Sequence, residues 1–127
     1  MQNQKSALGL DGNITALIGY PIGIIALVLI FIEKDNKFVR FHALQSVLWS
    51  VALTILITVF AVIGGILLTV ISMASPSLGG ILWLLFGLLF FGIGLAWFGG
   101  LVFGAIKAYG SQMTKLPIVG GFAEKWT

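Results

Sequence analysis

The chain holds one arginine and one histidine, and they lie two residues apart in KFVRFHALQS, residues 37–46. Glu33, Lys34, Asp35 and Lys37 stand just before them, and Gln45 and Ser46 come one turn later. On a helix His42, Gln45 and Ser46 share a face, because residues three and four apart are neighbours. Three kinds of chemistry use such a set. An imidazole near carboxylates is the raw material of acid–base catalysis. A neutral imidazole is a common metal ligand, so His42 on a haem or chlorophyll is one reading. Cations clustered at a membrane surface attract anionic headgroups, at about 1 kcal/mol each.

The spacing favours the last of these. A lone histidine without a placed partner is not a triad, and no zinc-protease, nucleophile-elbow or phosphate-loop pattern occurs. The chain has no cysteine, which removes thiolate ligands and thiol nucleophiles. No catalytic residue, no metal site and no cofactor is therefore expected, and the protein reads as a non-enzyme. Lys34, Lys37, Arg40, His42, Gln45 and Ser46 read as an interfacial set that meets lipid or a protein partner, with Phe38 and Phe41 dipping into the acyl region. Glu124 is the counter-charge from the tail to look for beside Arg40.

What positions these residues is lipid. Only 9% of the 127 residues are charged and the mean hydropathy is +1.12. A soluble domain usually carries about a quarter charged residues. The net charge of +3 caps membrane helices and does not indicate a nucleic-acid partner. Three apolar runs are long enough to cross a hydrocarbon core of about 30 Å. The sequence predicts an all-α membrane protein, one integral domain over residues 1–127, with transmembrane helices at about 14–32, 47–71 and 81–106. Residues 38–46 form an interfacial helical start to the second span. Pro21 falls within the first span as a kink. The first run is long for a signal peptide and ends in charges, so it is expected to stay as a membrane helix. The tail after Ile106 is short, and the Pro and Gly of LPIVGGF argue against a helix there.

Orientation follows from the basic residues. Lys34, Lys37 and Arg40 lie in the first loop and Lys107, Lys115 and Lys125 in the tail, against Lys5 before the first span. Three spans then place the N-terminus outside and the C-terminal tail in the cytoplasm, in the cell (inner) membrane.

Two rows bear on packing. Gly92, Ala96, Gly100 and Gly104 recur every four residues, and Gly19 and Gly23 repeat the spacing in the first span. Small residues four apart let helices approach closely. Ser50, Thr54 and Thr58 continue the face of His42 and Ser46 as a polar row. Such hydroxyls usually bond back to their own helix, though a wetted path would look the same.

GLDGNITALIGYPIGIIALVLIFIEKDNKFVRFHALQS, followed by YGSQMTKLPIVGGFAEKW, resembles the small prokaryotic membrane proteins of unknown function related to the Tic channel component of the chloroplast import machinery. The resemblance spans Gly9 to Trp126. It rests on Arg40, Phe41, His42, Gln45 and Ser46, and on Leu116, Pro117 and Gly120. It implies a compact helical membrane fold, and a translocon-like channel that three helices alone cannot enclose without forming an oligomer. Taken together, the expected function is that of an accessory or assembly subunit packed against a larger membrane complex. The alternatives are an oligomeric transport component and an anionic-lipid-binding membrane protein. The expected partners are membrane lipids and other membrane subunits or copies of the chain.

Overall fold

The structure is a computed structural model that describes residues 4–127. Among them it holds five helices: α1 (Gly12–Gly19), α2 (Gly23–Ile32), α3 (Lys37–Ala74), α4 (Pro76–Tyr109) and α5 (Val119–Lys125). At about 1.5 Å per residue α3 is roughly 57 Å long and α4 roughly 51 Å. Both are long and apolar enough to cross a membrane.

There are two such helices, not three. The run at 14–32 does not form one span. Pro21 has no N–H with which to continue the ladder of α1, and Ile22 leaves helical geometry at φ −117°, ψ 88°. The chain turns back there. The Ala7 N–H donates to Glu33 Oε2 at 2.6 Å, and Asn36 Nδ2 donates to the Gln4 carbonyl at 2.7 Å. The segment before α1 thus meets the segment after α2. The two helices form a re-entrant hairpin with Tyr20, Pro21 and Ile22 at its tip. Its arms, roughly 12 and 15 Å long, are too short to cross the core.

The correction moves the N-terminal segment. Instead of lying opposite the first loop, it lies beside it. Lys5, Asp11, the acids and bases of residues 33–40, Lys107, Lys115, Glu124 and Lys125 all gather at one end of the molecule, and no charged residue lies between Arg40 and Lys107. Single cysteines introduced at Gln4 and Asp35 should therefore react with an impermeant maleimide from the same side of the membrane, and one at Ser77 from the other side. A Gln4 cysteine that reacts from the Ser77 side would restore the three-span arrangement.

α3 has two different halves. From Phe38 to Ser46 every residue is buried except Arg40, which is half-buried. From Val51 onward nearly every side chain is exposed, and Leu68 alone is buried. The first half is wrapped by α1, α2, α5 and the end of α4, and the molecule's core lies there, around Tyr20, Leu29, Val39 and Leu116. The second half and most of α4 form a bare apolar hairpin. Ser75 is the only residue between α3 and α4. It ends α3, and its side chain accepts from the Leu78 N–H to cap α4, with Pro76 in the first turn. Pro is suited to that place because the first N–H groups of a helix have no intrahelical partner. Gly79 lets α4 pass Ser72, since any Cβ there would collide with the Ser72 side chain and backbone.

The tail departs from its expected form. LPIVGGF is not irregular throughout, because α5 begins at Val119. Gly120 is the reason the segment can close: a Cβ on it would run into Lys115 and Gln45 Oε1. Tertiary packing overrides the low helix propensity of two adjacent glycines.

Candidate functional site

The polar residues of the first half of α3 converge with the re-entrant tip and the tail. Tyr20 Oη lies 2.7 Å from His42 Nδ1, and His42 Nε2 lies 2.8 Å from the Gln112 carbonyl. A carbonyl only accepts, so Nε2 carries the proton; in the neutral ring Nδ1 then accepts from the Tyr20 hydroxyl. Gln45 Nε2 donates to Tyr20 Oη at 2.8 Å and to the Thr114 carbonyl at 3.0 Å. Its Oε1 accepts from the Leu116 N–H at 2.8 Å. Ser46 donates to the Gly19 carbonyl at 3.0 Å. Tyr20, Phe38 and Phe41 close around His42 edge-on, with ring centroids 5.5, 4.7 and 5.1 Å away.

This arrangement is a lock. Three segments that are remote in sequence are held by side chains with almost no exposure: Tyr20 from the tip, His42, Gln45 and Ser46 from α3, and backbone groups of the tail. The helix spacing of His42, Gln45 and Ser46 puts them on one face, and that face turns into the protein instead of toward lipid. Both nitrogens of His42 are engaged, so the ring has no free lone pair for a haem or chlorophyll metal. Among the described residues there is no group of three His, Asp or Glu able to hold a metal ion.

A second set ties the N-terminal segment down. Glu33 is buried, and its carboxylate accepts the Ala7 N–H and the Asn36 N–H. Asn36 caps α3 by accepting the Val39 N–H at 3.2 Å. Arg40 does not reach outward with its bonded nitrogen. Nη1 donates to the carbonyls of Ile30 and Glu33 at 2.9 and 3.1 Å. These carbonyls lie at the C-terminal end of α2, where a cation also meets the favourable end of the helix dipole. Lys34 and Lys37 are exposed. Glu124 pairs with Lys115 and not with Arg40.

The two predicted rows divide. Gly104 lies directly against the Tyr20 ring and Gly100 against the Trp49 indole, so close that a Cβ at either place would overlap it. Gly19 makes ordinary contact with Ala26 and Leu29 across the re-entrant hairpin. Gly92 and Gly23 have nothing within 4 Å of where a Cβ would stand, and Ala96 is exposed. In the polar row, Thr54 donates to the Ser50 carbonyl and Thr58 to the Thr54 carbonyl, at 2.7 and 2.8 Å. Ser50 Oγ accepts from Trp97 Nε1 at 3.2 Å. The residues that the sequence did not single out are Tyr20 and Asn36 as network members, together with the tail backbone at Gln112 and Thr114; Glu33 was read from the sequence as a candidate for a structural polar cluster, and it is buried and bonded here. One signal was present for Tyr20: it precedes the proline that breaks the helix.

Residues 5–123 match the sequence model of the magnetosome magnetite crystal formation protein family, MamF/MmsF. The chain belongs to this family. It is also similar to curated membrane proteins of the UPF0132 group. One from Methanocaldococcus jannaschii is 33% identical over 97% of this chain and 94% of its own length. A second from the same organism is 31% identical over 94% of this chain and 73% of its own length. A third, from Archaeoglobus fulgidus, is 28% identical over 89% and 92%. No solved structure matches the chain. The MamF/MmsF match replaces the resemblance to the Tic channel component: the segments that carried it, residues 37–46 and the LPIVG tail, fall within residues 5–123. This is a small membrane protein family of uncertain function, and the similar proteins from the two archaea bear the name of membrane proteins.

Proposed function

We propose that this protein is a non-enzymatic integral membrane protein that packs as an accessory or assembly subunit against other membrane subunits or further copies of itself. The observation that carries this reading is the division of the glycine row. Gly100 and Gly104 are occupied by Trp49 and Tyr20, whereas on the same line of α4 Gly92 has none of the described residues within 4 Å of its Cβ position and Ala96 is exposed. Small residues let helices come together in lipid, where no hydrophobic drive exists between them. The polar groups of the lock, by contrast, are all turned inward, which leaves little for a substrate to meet.

The seven basic residues lie at one end, and by the positive-inside rule that end faces the cytoplasm of the cell membrane. Both termini are then cytoplasmic. A transport role finds no support in the Ser50, Thr54 and Thr58 face, whose hydroxyls bond to their own helix or to Trp97. The family's description concerns magnetite crystal formation. For this chain that supports a membrane role more than a carboxylate template for mineral. Asp11 pairs with Lys5 and Glu124 with Lys115, and Glu33 is buried, so among the described residues Asp35 is the one carboxylate that is exposed and outside an ion pair.

Extraction in a mild detergent, followed by native mass measurement and identification of co-migrating chains, tests the reading. A complex of fixed stoichiometry is expected. A chain that migrates alone at 13.6 kDa plus its detergent would overturn it.

A further inference from the structure

The molecule has very different girths at its two ends. The charged end contains α1, α2, the first half of α3, the end of α4 and α5. The other end contains only the bare α3–α4 hairpin. The elements that make up the difference reach the same depth. The tip of the α1–α2 hairpin is fixed where Ser46 donates to the Gly19 carbonyl. The tail descends along α3 from Gln112 at His42 to Leu116 at Gln45, then returns as α5, with Ala123 packed among Phe41 and Leu44. Two re-entrant elements, each with a proline at its turn (Pro21 and Pro117), therefore end level with Gln45 and Ser46.

Both present apolar side chains outward. Ile24 on α2 is 77% exposed and Phe31 72% exposed. On the tail, Ile118 is 85% exposed, and Phe122 and Trp126 follow at four-residue intervals with half their surface exposed. Ile118 holds φ at +65°, a conformation that a β-branched residue adopts only when its surroundings impose it. Here it aims a bulky apolar side chain away from the protein. Lys115 and Lys125 flank this face. The medium that fits is lipid, because these exposed side chains are apolar and belong to a chain whose α3–α4 hairpin is itself apolar and exposed. Elements of this kind settle at the boundary of headgroups and acyl chains, where their binding depends on curvature.

We propose that the protein is a one-leaflet wedge. Its charged end spreads the lipids of the leaflet that holds it, its hairpin end spreads the opposite leaflet much less, and the protein favours membrane that is convex on the charged side. This goes beyond subunit packing and can be tested with the protein alone.

The full chain is reconstituted into vesicles of graded diameter made from phosphatidylcholine and phosphatidylglycerol. An impermeant dye on an Asp35→Cys variant reports how many molecules have the charged end outward, since the chain has no cysteine of its own. The outward fraction should rise several-fold from the largest to the smallest vesicles, and a fraction independent of diameter overturns the wedge. Replacing Ile118, Phe122 and Trp126 together by Ser alters only exposed positions and should remove much of the preference; full retention also overturns it. A spin label on Ile118→Cys provides the check on depth. It should be more accessible to oxygen than to a water-soluble nickel complex, and the reverse order refutes insertion of the tail.

Discussion

Gln45→Leu should loosen the tail and the re-entrant hairpin together. The substitution nearly keeps the volume of the side chain and removes three hydrogen bonds, to Tyr20 Oη, the Thr114 carbonyl and the Leu116 N–H. The Thr114 carbonyl and Leu116 N–H are left unpaired inside the protein. A buried polar group without a partner costs about 1–3 kcal/mol, so a loss of roughly 3 kcal/mol is expected for the pair. Thermal unfolding in detergent should shift downward. Limited proteolysis should open the chain between residues 111 and 118 while the α3–α4 hairpin survives. The lock has no part in holding the tail if the variant melts and resists protease like the parent.

The second large effect is expected at Gly104. Replacing it with Leu places the new side chain where the Tyr20 ring now stands. Overpacking a filled site typically costs about 1–3 kcal/mol, and here displacement of Tyr20 would also unmake its bonds to His42 and Gln45. The α1–α2 hairpin should detach, and single cysteines at its tip should become reactive. Gly92→Leu offers the contrast. Nothing lies within 4 Å of its Cβ position, so the isolated chain should melt unchanged while its co-migration with partners is lost. If Gly104→Leu melts like the parent, the close approach of α4 to the tip is not required. If Gly92→Leu keeps every partner, the open half of the row is not an interface.

These two positions also show what the sequence carried. The four-residue spacing of Gly100 and Gly104 identified a face that other groups approach closely, but it did not identify Trp49 and Tyr20, which come from segments about 50 and 80 residues away in the chain. The helix spacing of His42, Gln45 and Ser46 placed them together on one face, but the sequence turned that face outward, to lipid or a protein partner, and not into the chain's own interior. In a chain this apolar, lipid and a protein interior favour the same side chains, so hydropathy alone does not tell one from the other. The same ambiguity concealed the turn at Pro21. A run of about 19 apolar residues satisfies the length rule for a span whether it crosses or doubles back. The deciding contacts, Ala7 with Glu33 and Gln4 with Asn36, join residues that are remote in the chain. The α5 helix was missed for the opposite reason: the local rule against Pro and Gly was followed where close packing at Gly120 required the glycine. The polar segment that suggested one family proved to be a lock in a chain that belongs to another.

The single-residue turn at Ser75 has a consequence for how the protein reaches its membrane. To insert the hairpin, the translocation machinery has to pass only the connection around Ser75 to the far side, and that connection contains no charged residue and satisfies its own helix ends through Ser75. Every charged group stays at the opposite end of the molecule. α3 and α4 can therefore enter as one preformed unit, with the near-side elements folding onto it afterwards. Once in place, the far side offers almost no loop for a soluble receptor or a protease to grip. Any signal or partner on that side has to meet the protein within the lipid itself.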